Sequence, residues 1–165
     1  MVSYNVAILG QAIDVMNWCE EAGSLAAFVD VIGPHLRHVL EHYEELLDGL
    51  DRRVLEYDRR RRDRRVEQDV VFARERFVAV IERLEALVES PSCTDEVAVM
   101  LCGGVEGEEC FVARSSLSRE LLFVAGHAVH HYAILKPLLA QRGYIVGEDF
   151  GKAPATIHYE RESVR

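Results

Sequence analysis

Apolar residues recur at helical spacing in four separate stretches of the chain. Between residues 4 and 20, Val6, Leu9, Ile13, Met16 and Cys19 mark one face of a first helix. Residues 24–32 are apolar without clear period and read as a short connector. Gly33-Pro34 opens a second helix, because proline at the first helical position gives up an N–H that has no partner there. This helix runs from Pro34 to Leu50, with Leu36, Val39, Leu40, Tyr43, Leu46 and Leu47 along its buried stripe. The third runs from Glu67 to Val88 on Val70, Val71, Phe77, Val80, Ile81, Leu84 and Leu87, and Ser90-Pro91-Ser92 breaks it.

The period then changes. Val97, Val99 and Leu101 alternate with Ala98, Met100 and Cys102, which predicts a short strand. Gly103-Gly104 and Gly107 supply a turn, and Cys110–Ala113 returns as the second strand of a hairpin. Ser115-Ser116 offers cap oxygens to a last helix from Leu117 to Arg142, which Gly143 stops. Pro137 predicts a kink or a change of direction within it. The expected fold is mainly all-α: a four-helix bundle over residues 1–143 with a small β-hairpin before the last long helix, followed by an extended tail over 144–165.

The chain has 165 residues, enough for one domain with a real core. Its net charge of −9 argues against general binding to nucleic acid or anionic membranes. Charge is uneven: eight arginines and four acids fall between Asp51 and Arg65. The cysteines at 19, 93, 102 and 110 form no CxxC pair. With no basic, apolar leader at the N-terminus and no apolar run long enough to cross a membrane, the expectation is a cytoplasmic protein with free thiols. A Cys102–Cys110 bridge would require the two to face each other across the hairpin.

The seven histidines are clustered. His35, His38 and His42 share the second helix, His127, His130 and His131 share the last, and His158 lies in the tail. His127 and His131 stand one turn apart on a core-facing stripe with Val124, Ile134 and Leu135. Imidazoles on such a stripe need partners. One shared metal ion satisfies both; carbonyls, carboxylates or water are the plainer alternative. Any of His35, His38 and His42 can supply a further nitrogen, since bundle cores build metal sites from facing helices.

Two segments, Val31-Ile-Gly-Pro-His-Leu-Arg-His-Val-Leu-Glu-His42 and Phe123-Val-Ala-Gly-His-Ala-Val-His-His-Tyr132, resemble signatures of the DinB/YfiT-like superfamily of bacterial four-helix-bundle proteins. The likeness runs over roughly residues 4–142. It departs from the pattern where His35 and His42 flank the expected ligand and where Tyr132-Ala133 replaces a Gly-Gln pair. The resemblance implies one divalent ion (zinc, nickel or iron) held by His38, His127 and His131 with coordination positions open. It further implies a metal-dependent enzyme that activates a low-molecular-weight thiol or water for transfer to a small electrophile. In that reading Glu41, His42 and Glu120 support the ligands or move protons, although each carboxylate is more readily read as a cap or an exposed surface group. The partner is then a small molecule, and an apolar helix face suits a homodimer. The alternative is a non-catalytic stress-response or binding module that uses the arginine-rich segment 59–65.

Overall fold

The computed structural model describes residues 1–87 and 96–163. The break expected at Ser90-Pro91-Ser92 lies outside the described residues. Helix α1 spans Val2–Glu21, α2 is the single turn Leu25–Ala27, and a π-helical turn, Phe28–Ile32, leads directly into α3, Gly33–Gly49. Strand β1, Val54–Leu55, and a 3-10 turn, Tyr57–Arg59, precede the short α4, Arg65–Gln68, and the long α5, Val70–Ala86. Strands β2, Glu96–Gly103, and β3, Glu109–Ser116, lead into α6, Leu117–Ala140, and a final helix α7, Pro154–Ser163.

Local chemistry sets these boundaries. Asp69 caps α5 by accepting from the N–H groups of Val71 and Phe72, each at 3.0 Å. Ser116 caps α6 by accepting from the Arg119 N–H at 3.3 Å. Gly143 follows α6 at φ +83°, a left-handed conformation that glycine adopts without a Cβ penalty.

Helix α1 packs on α5 and α6, and α3 packs on the same two helices. Tyr43 and Tyr132 are fully buried between them. Each keeps its hydroxyl satisfied, Tyr43 donating to Asn5 Oδ1 at 2.8 Å and Tyr132 to the Ile8 carbonyl at 3.1 Å.

The expected all-α, DinB-like bundle with one hairpin is corrected by the sheet. It has three strands in the order β1-β2-β3, with β1 parallel and β3 antiparallel to β2. Leu55, Val97 and Val99 enter the same core as the helices, so the fold is mixed helix and sheet. Two residues of β1 carry no periodic signal. They are strand only because Arg53, at φ +55°, turns the chain so that its carbonyl accepts the Ala98 N–H. Two further differences concern the C-terminal part. Helix α6 ends at Ala140, two residues before the expected Arg142, with Pro137 inside it as expected, and the tail expected to be extended contains α7. Among the described residues no helix is long and apolar enough to cross a membrane.

Two glycines test the packing. A methyl group on Gly33 would press into the Glu67 backbone, because α4 lies directly on the start of α3. Gly126, in the exposed face of α6, has open space around the same position. Gly33→Ala should therefore destabilise the fold by about 1–3 kcal/mol. Gly126→Ala should leave it unchanged or stabilise it by up to ~1 kcal/mol. Urea denaturation midpoints check both; equal shifts in the same direction would contradict this packing.

Candidate metal centre

Helix α3 carries His35, His38 and His42 on one face, and α6 turns His127 and His131 toward it. The ring centroids of His38 lie 4.9 Å from His127 and 4.6 Å from His131, and those of His127 and His131 are 4.8 Å apart. One ring nitrogen from each of the three falls within 4.8 Å of the others. His42 packs against His127 at 4.3 Å, and His35 against His131 at 5.2 Å. His130 points outward, and the exposed His158 pairs with Glu162 at 3.3 Å, away from the cluster.

The hydrogen bonds assign roles to several of these rings. His42 Nδ1 donates to the His38 carbonyl at 2.7 Å, which leaves its Nε2 as the lone-pair nitrogen. His35 Nδ1 and His131 Nδ1 share one proton across 2.9 Å. Arg60 donates to His38 Nδ1 at 2.9 Å; a guanidinium only donates, so this nitrogen must present its lone pair. His127 Nε2 is buried and has no hydrogen-bond partner. A buried, unpaired nitrogen is costly unless something else meets it.

Burial, followed by the mutual repulsion of the rings and of Arg60, holds the imidazoles neutral. His38 is lowered to about 3, first by burial and then by His42, Arg60, His131 and His127. Burial is also the leading cause for His42, His127 and His131, each lowered to about 4. Neutral imidazole is the ligand form, so protons compete for this site only well below the ordinary imidazole range near ~6.5.

Both acidic candidates are buried and held by several partners. Glu41 is buried, accepts the Asp63 N–H at 2.8 Å, and lies 3.7 Å from Arg60 and 3.9 Å from Arg37. It fastens the arginine-rich segment to α3. Glu120 is fully buried and accepts from the Tyr57 hydroxyl at 2.9 Å, from Ser115 Oγ and from Arg119. The Tyr57 ring in turn stacks on His42 at 5.4 Å. Glu120 thus orients the wall behind His42 without touching the three-histidine group. Sequence reasoning missed Arg60 as an individual, since nothing in a run of arginines distinguishes the one that turns inward.

No family model matches the chain, and no solved structure matches it. Among curated proteins it is similar to FK506-binding protein 5 of Rhizopus delemar, at 31% identity over 108 residues. That alignment covers 64% of this chain and 27% of the relative. The resemblance to the DinB/YfiT-like superfamily is therefore corrected: the similarity found lies with a different protein, and the sheet departs from that fold. The metal-dependent thiol or water transfer drawn from it falls as well. The stress-response or binding alternative loses its basis in the same finding and in the ion pairs of the segment. Arg59 pairs with Glu56, Arg60 with Glu41, Arg64 with Glu67 and Arg65 with Asp63.

The lowered imidazoles give a signed prediction. The unfolded chain takes up protons near pH ~6.5, whereas the folded cluster resists until about 4. Between these values the unfolded state binds more protons, so stability rises with pH across the window. The stability is fully present above about pH 7 and is lost progressively as pH falls from ~6.5 toward 4. Thermal melts of chelator-treated protein should show this decline, and His42→Gln should make it shallower. A flat profile across the window would contradict the buried, neutral cluster.

Proposed function

We propose that the histidine cluster binds one divalent transition-metal ion, zinc, nickel or iron, through His38, His127 and His131. A small molecule then completes the coordination. The observation that carries this reading is the convergence of one ring nitrogen from each of three neutral imidazoles within 4.8 Å, beside the separate fact that His127 Nε2 is buried without a hydrogen-bond partner. Imidazole nitrogen suits zinc, nickel and iron alike, and the three rings would hold the ion between α3 and α6. Three protein ligands leave room for an exogenous donor, and the ion supplies a positive centre to hold it. Free Cys19, Cys102 and Cys110 agree with a reducing, cytoplasmic setting.

The residues around the cluster fix what the ion would meet. Tyr57, held by Glu120, braces His42, and His42 packs on His127. Arg60 has a different relation to the ion. Its guanidinium already uses the lone pair of His38 Nδ1. If the ion takes that nitrogen, Arg60 must withdraw. If the ion takes Nε2, the proton moves to Nδ1 and the bond from Arg60 is lost. Either way the ion and Arg60 exclude one another at His38. Arg60 also borders a polar cleft of about 240 Å³ shared with Glu41, Glu45 and Glu56, into which the side chain can turn.

Isothermal titration of chelator-treated protein with zinc should give one site. His127→Ala and His131→Ala should each abolish it, and His38→Ala should do the same. His130→Ala should leave it intact. Bound metal should raise the melting temperature, because only the folded state holds the ion. Arg60→Gln should tighten zinc about tenfold, a gain of ~1.4 kcal/mol, by removing the competing cation. Retention of one tight equivalent by all three alanine variants would overturn the reading. Weaker zinc in Arg60→Gln would overturn the competition.

A further inference from the structure

Cys102 and Cys110 stand directly opposite one another in the β2–β3 ladder. Which kind of pair they form can be read from the backbone. The N–H of Ala98 donates to the Arg53 carbonyl, and the N–H of Cys102 donates to Asp58 Oδ2 at 2.7 Å. Both bonds run to the β1 side, away from β3. Alternate residues of a strand point their backbone groups the same way, so Ala98, Met100 and Cys102 all turn theirs from β3. The Cys102–Cys110 position is therefore a non-hydrogen-bonded pair, the closely spaced kind with Cα atoms about 4.5 Å apart. A disulfide spans Cα separations of ~4.4–6.8 Å.

Three other features bear on these thiols. Both are free and exposed, on the sheet face opposite the one that sends Val97 and Val99 into the core. Their register is pinned at the next position along: the Phe111 ring fills the space that a Cβ on Gly103 would need, and Asp58 holds Cys102 from the other side. Cys19, by contrast, is buried and its thiol is pushed up to about 11 by that burial, which leaves it inert.

We propose that Cys102 and Cys110 form a reversible dithiol–disulfide pair, oxidised by a low-molecular-weight disulfide. In the first step the thiolate of one cysteine attacks a sulfur of the small disulfide. A mixed disulfide forms and one small thiolate leaves. The second cysteine, as thiolate, attacks the protein-side sulfur of that mixed disulfide. The internal S–S bond forms and the second small thiolate departs. The two protein thiols lose two electrons and two protons; the small disulfide gains both and becomes two thiols. The register already brings the two strands within bonding span. A disulfide so exposed stays open to reduction by the reverse exchange.

The test uses the full chain, reduced and then incubated with oxidised glutathione at neutral pH. After denaturation and alkylation, two of the four cysteines should be unavailable for labelling, and the intact mass should fall by two hydrogens with no glutathione attached. Cleavage at glutamate separates the two cysteines, at Glu106, Glu108 and Glu109, and should release one peptide pair linked through Cys102 and Cys110. Cys102→Ser and Cys110→Ser should each instead retain one glutathione on the remaining partner. Three outcomes would overturn the proposal: all four thiols still labelled, glutathione carried stably on both Cys102 and Cys110, or a link that includes Cys19 or Cys93.

Discussion

Five imidazoles meet where α3 faces α6, and much of the structure around them follows from how those rings are satisfied. Rings from two helices fill space that aliphatic side chains would otherwise take, and burial removes their charge. A buried neutral imidazole still has one donor and one acceptor to place. His42 places its donor on the His38 carbonyl, His35 and His131 serve each other, and His38 receives Arg60. His127 Nε2 is the ring nitrogen of the cluster that is both buried and without a hydrogen-bond partner among the described residues. A buried ring nitrogen without a partner is costly unless something else meets it.

The arginine-rich segment is organised by the same need. A surplus of positive charge beside an acidic protein would ordinarily face solvent. Here Glu41, a buried carboxylate on α3, draws the Asp63 backbone and the Arg60 side chain inward. Burial raises the Glu41 pKa, and the Asp63 N–H, Arg37 and Arg60 oppose that rise. Arg76 in α5 likewise reaches Glu44 on α3 at 2.5 Å, so the charged face of α3 is paired along its length. The segment therefore serves as a strap across the histidine site, and Arg60 is the part of the strap that touches it.

The long helices and the histidine faces were legible in the sequence, because both depend on period. Val39, Leu40, Tyr43, Leu46 and Leu47 sit in the core where a 3.6-residue repeat places them, and the same repeat turns His38 toward His127 and His131. What depends on tertiary contact was not legible. Val54-Leu55 becomes strand only beside Ala98, and Arg60 differs from Arg61 and Arg62 only by its position over Glu41 and His38. The partners of Glu41 and Glu120 were not legible for a related reason. Spacing places them near the cluster, but only the fold shows Glu41 accepting from Asp63 and Glu120 accepting from Tyr57, Ser115 and Arg119. The thiol-transfer chemistry never rested on residues of this chain, only on a family likeness, and it fell with that likeness.

The most direct test of the central claim, that three imidazoles converge on a cation-ready point, is a cobalt(II) titration followed by visible absorption. Cobalt reports coordination geometry through its d–d bands, and a three-histidine site with one or two added donors holds it below six-coordination. Intense bands should saturate at one equivalent per chain, vanish in His127→Ala, and be displaced by zinc. Only the weak spectrum of hydrated cobalt, unchanged between the native protein and His127→Ala, would contradict that claim.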